Sequence, residues 1–253
     1  MMTTLSALIF DVDGTLAETE RDAHRVAFNE TFAEFGLNWF WSEELYGKLL
    51  AVTGGKERIK FYWECYRTDT PRPAQWETFI ADLHKKKTLR YNQKLASNPI
   101  PLRPGVQRLL TEARAAGIRL AIATTTNLDN VAALLHYSLS PTAINWFEVI
   151  AAGDVVKAKK PASDIYKYAL QQLQLPPTEC IAMEDSNNGL RAALGAKIPT
   201  VITVNDYTRQ ENFSGALLVV NHLGEPTQPA TVLAGNVGKI LCVDVPLLRL
   251  LIV

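Results

Sequence analysis

The first run of apolar positions is short and ends in acids. Ala7, Leu8, Ile9 and Phe10 lead straight into Asp11-Val12-Asp13-Gly14-Thr15, the pattern of a buried strand that delivers two carboxylates into a turn. After Glu18 the period becomes helical: Val26, Ala27, Glu30, Thr31, Phe32 and Phe35 share an amphipathic spacing that Gly36 can close. Further helices are predicted over 42–51, 55–65 and 73–92, with Ser42 as a cap and Glu44 as an acid in a first turn. The stretch 19–96 holds four of the five tryptophans and no alternating strand pattern. It reads as an all-helical insertion.

From Leu102 onward strands and helices alternate. Pro104 starts a helix that Gly117 ends, and 129–137, 163–173 and 187–194 are further helices. Strands are expected at 118–123, 149–152, 180–183, 200–204 and 216–220. Such βα alternation predicts an α/β fold with a Rossmann-like parallel-sheet core carrying an inserted all-helical cap. The division is 1–18 and 97–230 for the core, 19–96 for the cap and 231–253 for a C-terminal extension. Within that extension, 239–243 and the apolar 247–253 suit an added strand or docking segment, with an oligomer contact as the alternative.

Composition narrows the setting. The 253 residues are 47% hydrophobic and 21% charged, enough for one good core and a smaller subdomain. Lys and Arg number 26 against 26 Asp and Glu, which gives no bias toward polyanions, so no nucleic-acid partner is expected. Cys65, Cys180 and Cys242 have neither zinc spacing nor a disulfide framework; burial of each thiol in a reducing cytoplasmic protein is expected. The first strand follows Met1 too closely for a leader, and without an apolar run of about 18 residues no membrane span is expected. The expected state is a monomer, or a weak oligomer.

The chemistry gathers at predicted strand ends, where α/β sheets place their ligands. Asp11 can attack phosphorus as a carboxylate. Asp13, on the same side because Val12 turns inward, can protonate the leaving oxygen and then activate water. A calcium loop is excluded, because Thr15 and Asp22 stand at its fifth and twelfth positions and the glycine comes too early; an ordinary polar turn remains open. Thr124-Thr125-Thr126-Asn127 offers hydroxyls and free amides to a phosphate, or simply a helix cap. In Lys159-Lys160-Pro161, Lys160 is favoured over Lys157 and Lys159 as the cation that neutralises nucleophile and phosphoryl group; a solvated basic turn is the alternative. Glu184 or Asp185, with Asp11 and the Asp13 backbone carbonyl, supplies oxygens suited to Mg2+, or else caps the next helix.

Taken in order, Asp11-Val-Asp13-Gly-Thr15, Thr124, Lys160-Pro161 and Glu184-Asp185 resemble the four motifs of the haloacid dehalogenase superfamily of magnesium-dependent phosphotransferases. The resemblance covers the core from Leu5 to about Leu223. It implies a phospho-aspartate at Asp11, acid/base work by Asp13 and a mobile helical cap. The cap insertion directly after the first motif is similar to that of the beta-phosphoglucomutase group. Glu18-Thr19-Glu20-Arg21-Asp22-Ala23-His24-Arg25, Phe28-Asn29 and Gly54-Gly55-Lys56-Glu57-Arg58 resemble the CbbY-type sugar phosphatases. That family is associated with carbon-fixing organisms and hydrolyses xylulose-1,5-bisphosphate, a misfire product that inhibits Rubisco.

The cap motif also makes physical sense by itself. Gly54 and Gly55 can present amides at a helix start, and Lys56 and Arg58 can grip a second, non-transferred phosphate. Glu20 and His24 can bind sugar hydroxyls or position Asp13, a plain polar helix contact being the alternative for His24. Thr125, Thr126 and Asn127 complete the expected substrate-binding set. The expected activity is a Mg2+-dependent sugar-bisphosphate phosphatase acting on a small phosphorylated sugar, with a phosphosugar mutase or a non-catalytic phosphosugar sensor as alternatives. Dehalogenation is disfavoured, because displacement at carbon has no use for the second acid.

Overall fold

The computed structural model describes residues 4–67 and 71–252. The expectation of no leader before the first strand rests partly on Met1 to Thr3, which lie outside the described residues, as does Val253 at the end of the apolar tail. β1 (Ala7–Phe10) is an inner strand, third in a seven-stranded sheet of order β3-β2-β1-β4-β5-β6-β7. β2 (Arg119–Thr124) and β3 (Val149–Ala152) extend it on one side, and β4 (Cys180–Glu184), β5 (Thr200–Thr203) and β6 (Leu218–Val220) on the other. These six are parallel, and β7 (Val232–Ala234) is added antiparallel to β6.

The two faces of the sheet differ in side-chain size. Leu8, Phe10, Leu120, Ile122, Ile181 and Met183 face α5 (Val106–Ala115), α6 (Leu128–Ser138) and α9 (Val245–Leu250). On the other face Ala7, Ala121, Ala123, Ala151 and Ala182 meet Ile165, Tyr166 and Ala169 of α7 (Asp164–Leu173) and Ala192 and Ala193 of α8 (Asn187–Gly195). The alanines let the second helical layer approach closely, while the bulky face is filled by longer side chains. Both faces are covered, which is why these strands read as continuous apolar runs.

Between β1 and β2 the chain leaves the sheet and returns. A π-helical turn at Glu20–His24 leads into α1 (Arg25–Glu34), followed by α2 (Glu43–Leu49), α3 (Gly55–Tyr66) and α4 (Trp76–Ser97). Ser42 caps α2 as expected, its hydroxyl accepting from the Leu45 N–H at 3.1 Å. Phe28, Phe32, Trp39, Trp41, Tyr46, Tyr62 and Trp63 form an aromatic cluster of their own. α4 runs beyond the expected end at 92, because Tyr91 and Leu95 pack into the sheet's core rather than into the aromatic cluster. Outgoing and returning passages are neighbours: Ala17 bridges Leu102, and the Arg103 N–H donates to the Leu16 carbonyl at 2.9 Å.

Several sequence expectations change. The strand added by the tail is Val232–Ala234, not 239–243, and the apolar stretch near Leu247 forms part of a helix whose Leu248 is buried with the core. Cys180 is buried, Cys242 half-buried and Cys65 exposed. Cys65 falls off the stripe Arg58, Ile59, Tyr62 and Trp63 that α3 turns inward. Among the described residues no helix is long and apolar enough to cross a membrane.

Trp41 is fully buried and packs on Phe28, Phe32 and Tyr62. Trp41→Ala is expected to cost about 3–5 kcal/mol in urea unfolding, the range for deleting a large core aromatic. A loss under about 1 kcal/mol would show that the aromatic cluster is not a cohesive core.

Candidate functional site

Strand register sets the site. Phe10 is level with Ile122 and Met183, and the Asp11 N–H continues the ladder to the Met183 carbonyl at 2.9 Å. Asp11, Thr124, Glu184 and Asp185 therefore emerge together where the strand order turns from β1 toward β2 on one side and β4 on the other. Lys160 reaches in from the segment before α7, its Nζ 2.7 Å from Asp11 Oδ1 and 2.5 Å from Glu184 Oε1. Tyr166 donates to the same Glu184 oxygen at 2.6 Å.

The charges do not balance. Asp11, Glu184 and Asp185 are buried, with carboxylate oxygens within 4.8 Å of one another. Burial raises Asp11 to about 7, with Lys160 opposing the rise and Glu184 and Asp13 adding to it. Asp185 is pushed well up by burial, Asp11 and Glu184. Burial pulls the Lys160 pKa down, but Asp11 and Glu184 outweigh it and raise the pKa above the usual lysine value. Asp185 has hydrogen bonds from Asn205 (2.7 Å) and Thr15 (3.5 Å) but no ion pair among the described residues. A hard divalent cation answers this excess of oxygen donors, so the residues present fit magnesium. Asp11 and Asp185 face that position, while Glu184 is committed to Lys160, Tyr166 and the Asp185 N–H. Neither acid caps α8, because the Ser186 hydroxyl does, accepting from the Gly189 N–H at 3.1 Å.

Asp13 points the other way, toward the helical insertion. Its Oδ1 accepts from Thr19 at 2.5 Å and lies 2.9 Å from His24 Nε2. Lys87 of α4 contacts His24 Nδ1 from behind, so that His24 donates to Asp13 and accepts from Lys87. Burial would raise Asp13, but His24, Thr19 and Lys87 bring it down to about 2. His24 stacks on Tyr91 at 4.3 Å between ring centres, which fixes the plane of the imidazole.

Two adjoining cavities meet at Asp13, Glu20, Arg58 and Thr125. One holds Asp11, Thr124, Lys160, Asp185 and Asn205. The other is lined by Gly54, Gly55, Lys56, Lys87, Thr126 and Asn127, and also by His24. Arg58 donates to Tyr46 Oη at 3.0 Å and to the Leu49 carbonyl at 3.2 Å, and Tyr46 donates to Glu20 at 2.5 Å. Lys56 pairs with Asp154 across the cleft at 2.9 Å, and Lys159 holds the same carboxylate at 2.7 Å. Asn127 serves as the cap of α6, its Oδ1 accepting from the Asn130 N–H at 2.9 Å, and its Nδ2 donates to Thr88 at 2.9 Å.

Sequence reasoning passed over Lys87, Tyr166, Asn205 and Asp154. Lys87 sits in His84-Lys85-Lys86-Lys87, which reads as a solvated face. A signal was present nonetheless: Leu83, Lys87, Tyr91 and Leu95 recur at the four-residue spacing of one helix face, and all four are buried. Tyr166 and Asn205 gave no local signal, since only tertiary approach brings them to Glu184 and Asp185.

A Cβ at Gly189 would fall on the Glu184 carboxylate. Gly189→Ala would gain about 1 kcal/mol of helix propensity, but overpacking at a buried group costs about 1–3 kcal/mol. The expected outcome is net destabilisation in urea unfolding with the far-UV spectrum unchanged. An increase in stability would contradict the placement of Glu184.

A family model described as haloacid dehalogenase-like hydrolase matches residues 5–197. The chain is 54% identical over 212 residues to protein CbbY of Rhodobacter capsulatus, covering 84% of this chain and 91% of that protein. It is 49% identical, with a TM-score of 0.81, to a crystal structure of a mutant CbbY from Rhodobacter sphaeroides in complex with xylulose-(1,5)bisphosphate, covering 87% of this chain and 95% of that one. A beta-phosphoglucomutase from Clostridium difficile shares the fold at 22% identity and a TM-score of 0.69, covering 86% of this chain and 91% of that one.

Proposed function

The chain belongs to the haloacid dehalogenase-like hydrolases and is a phosphatase of that type, and from this premise we propose that it hydrolyses a sugar bisphosphate, xylulose-1,5-bisphosphate foremost, through a phospho-aspartate on Asp11. The observation that carries the proposal is the two-lobed cavity divided by Asp13: Asp11 and Lys160 on one side, Lys56 and Lys87 on the other, with Arg58 between them. A bisphosphate has an anionic group for each lobe. The crystallised relative's complex with xylulose-(1,5)bisphosphate supports the same choice.

In this reading Asp11 attacks phosphorus, forming its oxygen–phosphorus bond as the bond to the sugar oxygen breaks. Lys160, 2.7 Å from the nucleophile, offsets the repulsion between carboxylate and phosphoryl group. Asp13 gives its proton to the departing oxygen, then takes one from the water that cleaves the acyl phosphate. His24, Thr19 and Lys87 favour the charged form of Asp13, so in this reading it takes up from solvent the proton that it gives to the departing oxygen, as phosphate charge draws on His24 and Lys87. Magnesium, held by Asp11, Asp185 and the Asp13 backbone carbonyl, would supply charge stabilisation to the phosphoryl oxygens. Glu20, Arg58 and Thr125 line the junction where the sugar would lie, with His24, Gly54, Gly55 and Thr126 toward the distal phosphate. Lys56 would exchange Asp154 for that phosphate.

The first test is phosphate release with magnesium from xylulose-1,5-bisphosphate, ribulose-1,5-bisphosphate, glucose 1-phosphate and phosphoglycolate. Release from the xylulose compound is expected to exceed that from the monophosphates glucose 1-phosphate and phosphoglycolate by about 100-fold or more, the scale that an extra charged anchor supports; ribulose-1,5-bisphosphate, with the same two phosphates, tests the sugar contacts alone. Isomerised sugar phosphate formed without release would instead assign the chain to the mutases. Asp11→Asn should abolish turnover with the fold intact, and residual turnover would remove Asp11 as the nucleophile.

Lys87 sets a pH expectation. Burial lowers it to about 8, against the opposing pull of Glu20 and Asp13. Turnover should decline as pH rises through about 8, because the cation behind His24 is lost. Stability should move the other way. An ammonium with a depressed folded pKa binds its proton more tightly when unfolded, so this destabilising contribution is full below about 8 and fades toward the ordinary 10.5. Measuring kcat/KM and urea unfolding between pH 7 and 10 checks both, and Lys87→Met should remove the alkaline limb. A limb that persists in the variant would assign it to another group.

A further inference from the structure

Arg103 is buried in the returning passage and lines neither lobe of the active-site cavity. Its guanidinium is nevertheless among the most heavily bonded groups in the protein. Nη1 donates to the Gly14 carbonyl and, at 2.9 and 3.1 Å, to the carbonyl and hydroxyl of Thr203. Nη2 donates to the carbonyls of Val204 at 2.5 Å and Asn221 at 2.9 Å. Nε faces Glu18 Oε1 at 2.9 Å, and the backbone N–H reaches Leu16. One side chain thus joins both hinge passages, the ends of β5 and β6, and the turn that carries Asp13.

The Gly14 contact is the informative one. Gly14 has a φ of +84°, and its α-carbon packs so closely on the side chains of Asp185 and Asn205 that no Cβ fits. Its N–H is fixed by the Ala17 carbonyl at 2.8 Å, and in the next peptide the Thr15 N–H donates to the Val12 carbonyl at 3.2 Å. Arg103 fixes that same Gly14–Thr15 peptide at its oxygen. A shift of the peptide reaches Thr15 directly and Asp13 through Gly14. Only arginine presents enough N–H groups in a rigid plane to hold Gly14, β5, β6 and Glu18 at once; lysine has one nitrogen.

We propose that Arg103 is a positioning residue for acid catalysis: by pinning the Gly14 carbonyl it keeps the Asp13 carboxyl aimed at the departing oxygen. The proposal rests on the phosphatase reading and on Asp13 as the acid. It predicts a defect that depends on the leaving group. A sugar alkoxide needs a proton to depart, whereas a nitrophenolate does not. Since kcat/KM reports every step through departure of the leaving group, it isolates this proton transfer from later hydrolysis.

The experiment measures kcat/KM of wild type, Arg103→Ala and Arg103→Lys on a sugar phosphate and on 4-nitrophenyl phosphate. Folding is checked by circular dichroism and urea unfolding. In both variants the sugar phosphate is expected to lose about 100-fold, the lower end of what a positioned acid contributes, and the aryl ester less than about 10-fold. Guanidinium ion added to Arg103→Ala should restore part of the sugar-phosphate rate and leave the ratio between substrates nearer that of wild type. If Arg103→Ala does not fold, Arg103→Lys, which keeps the charge opposite Glu18, carries the test alone. Equal losses on the two substrates in a folded variant, or no loss on the sugar phosphate, would overturn the proposal. A wild-type protein inert on both esters would instead remove the phosphatase reading.

Discussion

Three carboxylates and one ammonium share a buried space at the floor of the cavity, and much of the molecule is arranged around that excess charge. Asp11, Glu184 and Asp185 have carboxylate oxygens within 4.8 Å of one another, and Lys160 pairs with the first two. Buried ions of like sign repel strongly unless donors surround them. The donors here come from elements distant in the chain: Tyr166 on α7, Asn205 after β5, and Lys160 before α7. Gly189 contributes by lacking a side chain, which leaves room for the Glu184 carboxylate against α8. The alanine-lined face of the sheet belongs to the same arrangement, because it lets α7 and α8 come near enough for Tyr166 and Gly189 to reach their positions.

The two aspartates of the first motif illustrate how one residue of separation creates two electrostatic environments. Asp11 stays with the sheet, where burial and neighbouring acids lift it toward neutrality. Asp13 is handed to the helical insertion, where His24, Thr19 and Lys87 depress it despite burial. Groups whose affinities for a proton are driven apart in this way are suited to different roles in one reaction. The insertion therefore does more than cover the cavity, since it supplies the polar partners of the acid.

Much of this was legible beforehand because it depends on local grammar. A strand that ends in Asp-x-Asp-Gly, a hydroxyl after β2, a lysine before α7 and acids after β4 are all statements about neighbours in sequence. The register of parallel strands then brings them level. What could not be read was the support behind them. Lys87 looked like one of three adjacent surface lysines, Asn127 like a ligand donor although its amide is spent on α6 and Thr88, and Arg103 carried no signal of its own. Each of these roles is decided by what folds against the residue. The tail failed for a related reason: its apolar residues cover α5 through α9, and the strand forms where the chain can pair with β6.

The pairing of Ala17 with Leu102 separates the architecture of the insertion from that of the sheet. Two chain ends held at the spacing of adjacent strands present the same socket to whatever lies between them. The core has already met the entropic cost of closing that loop, which grows only slowly with length. A long insertion is therefore tolerated as readily as a short one. Its length is free to change, whereas Thr19, His24 and Lys87, which hold Asp13 from the insertion's side, must keep their places.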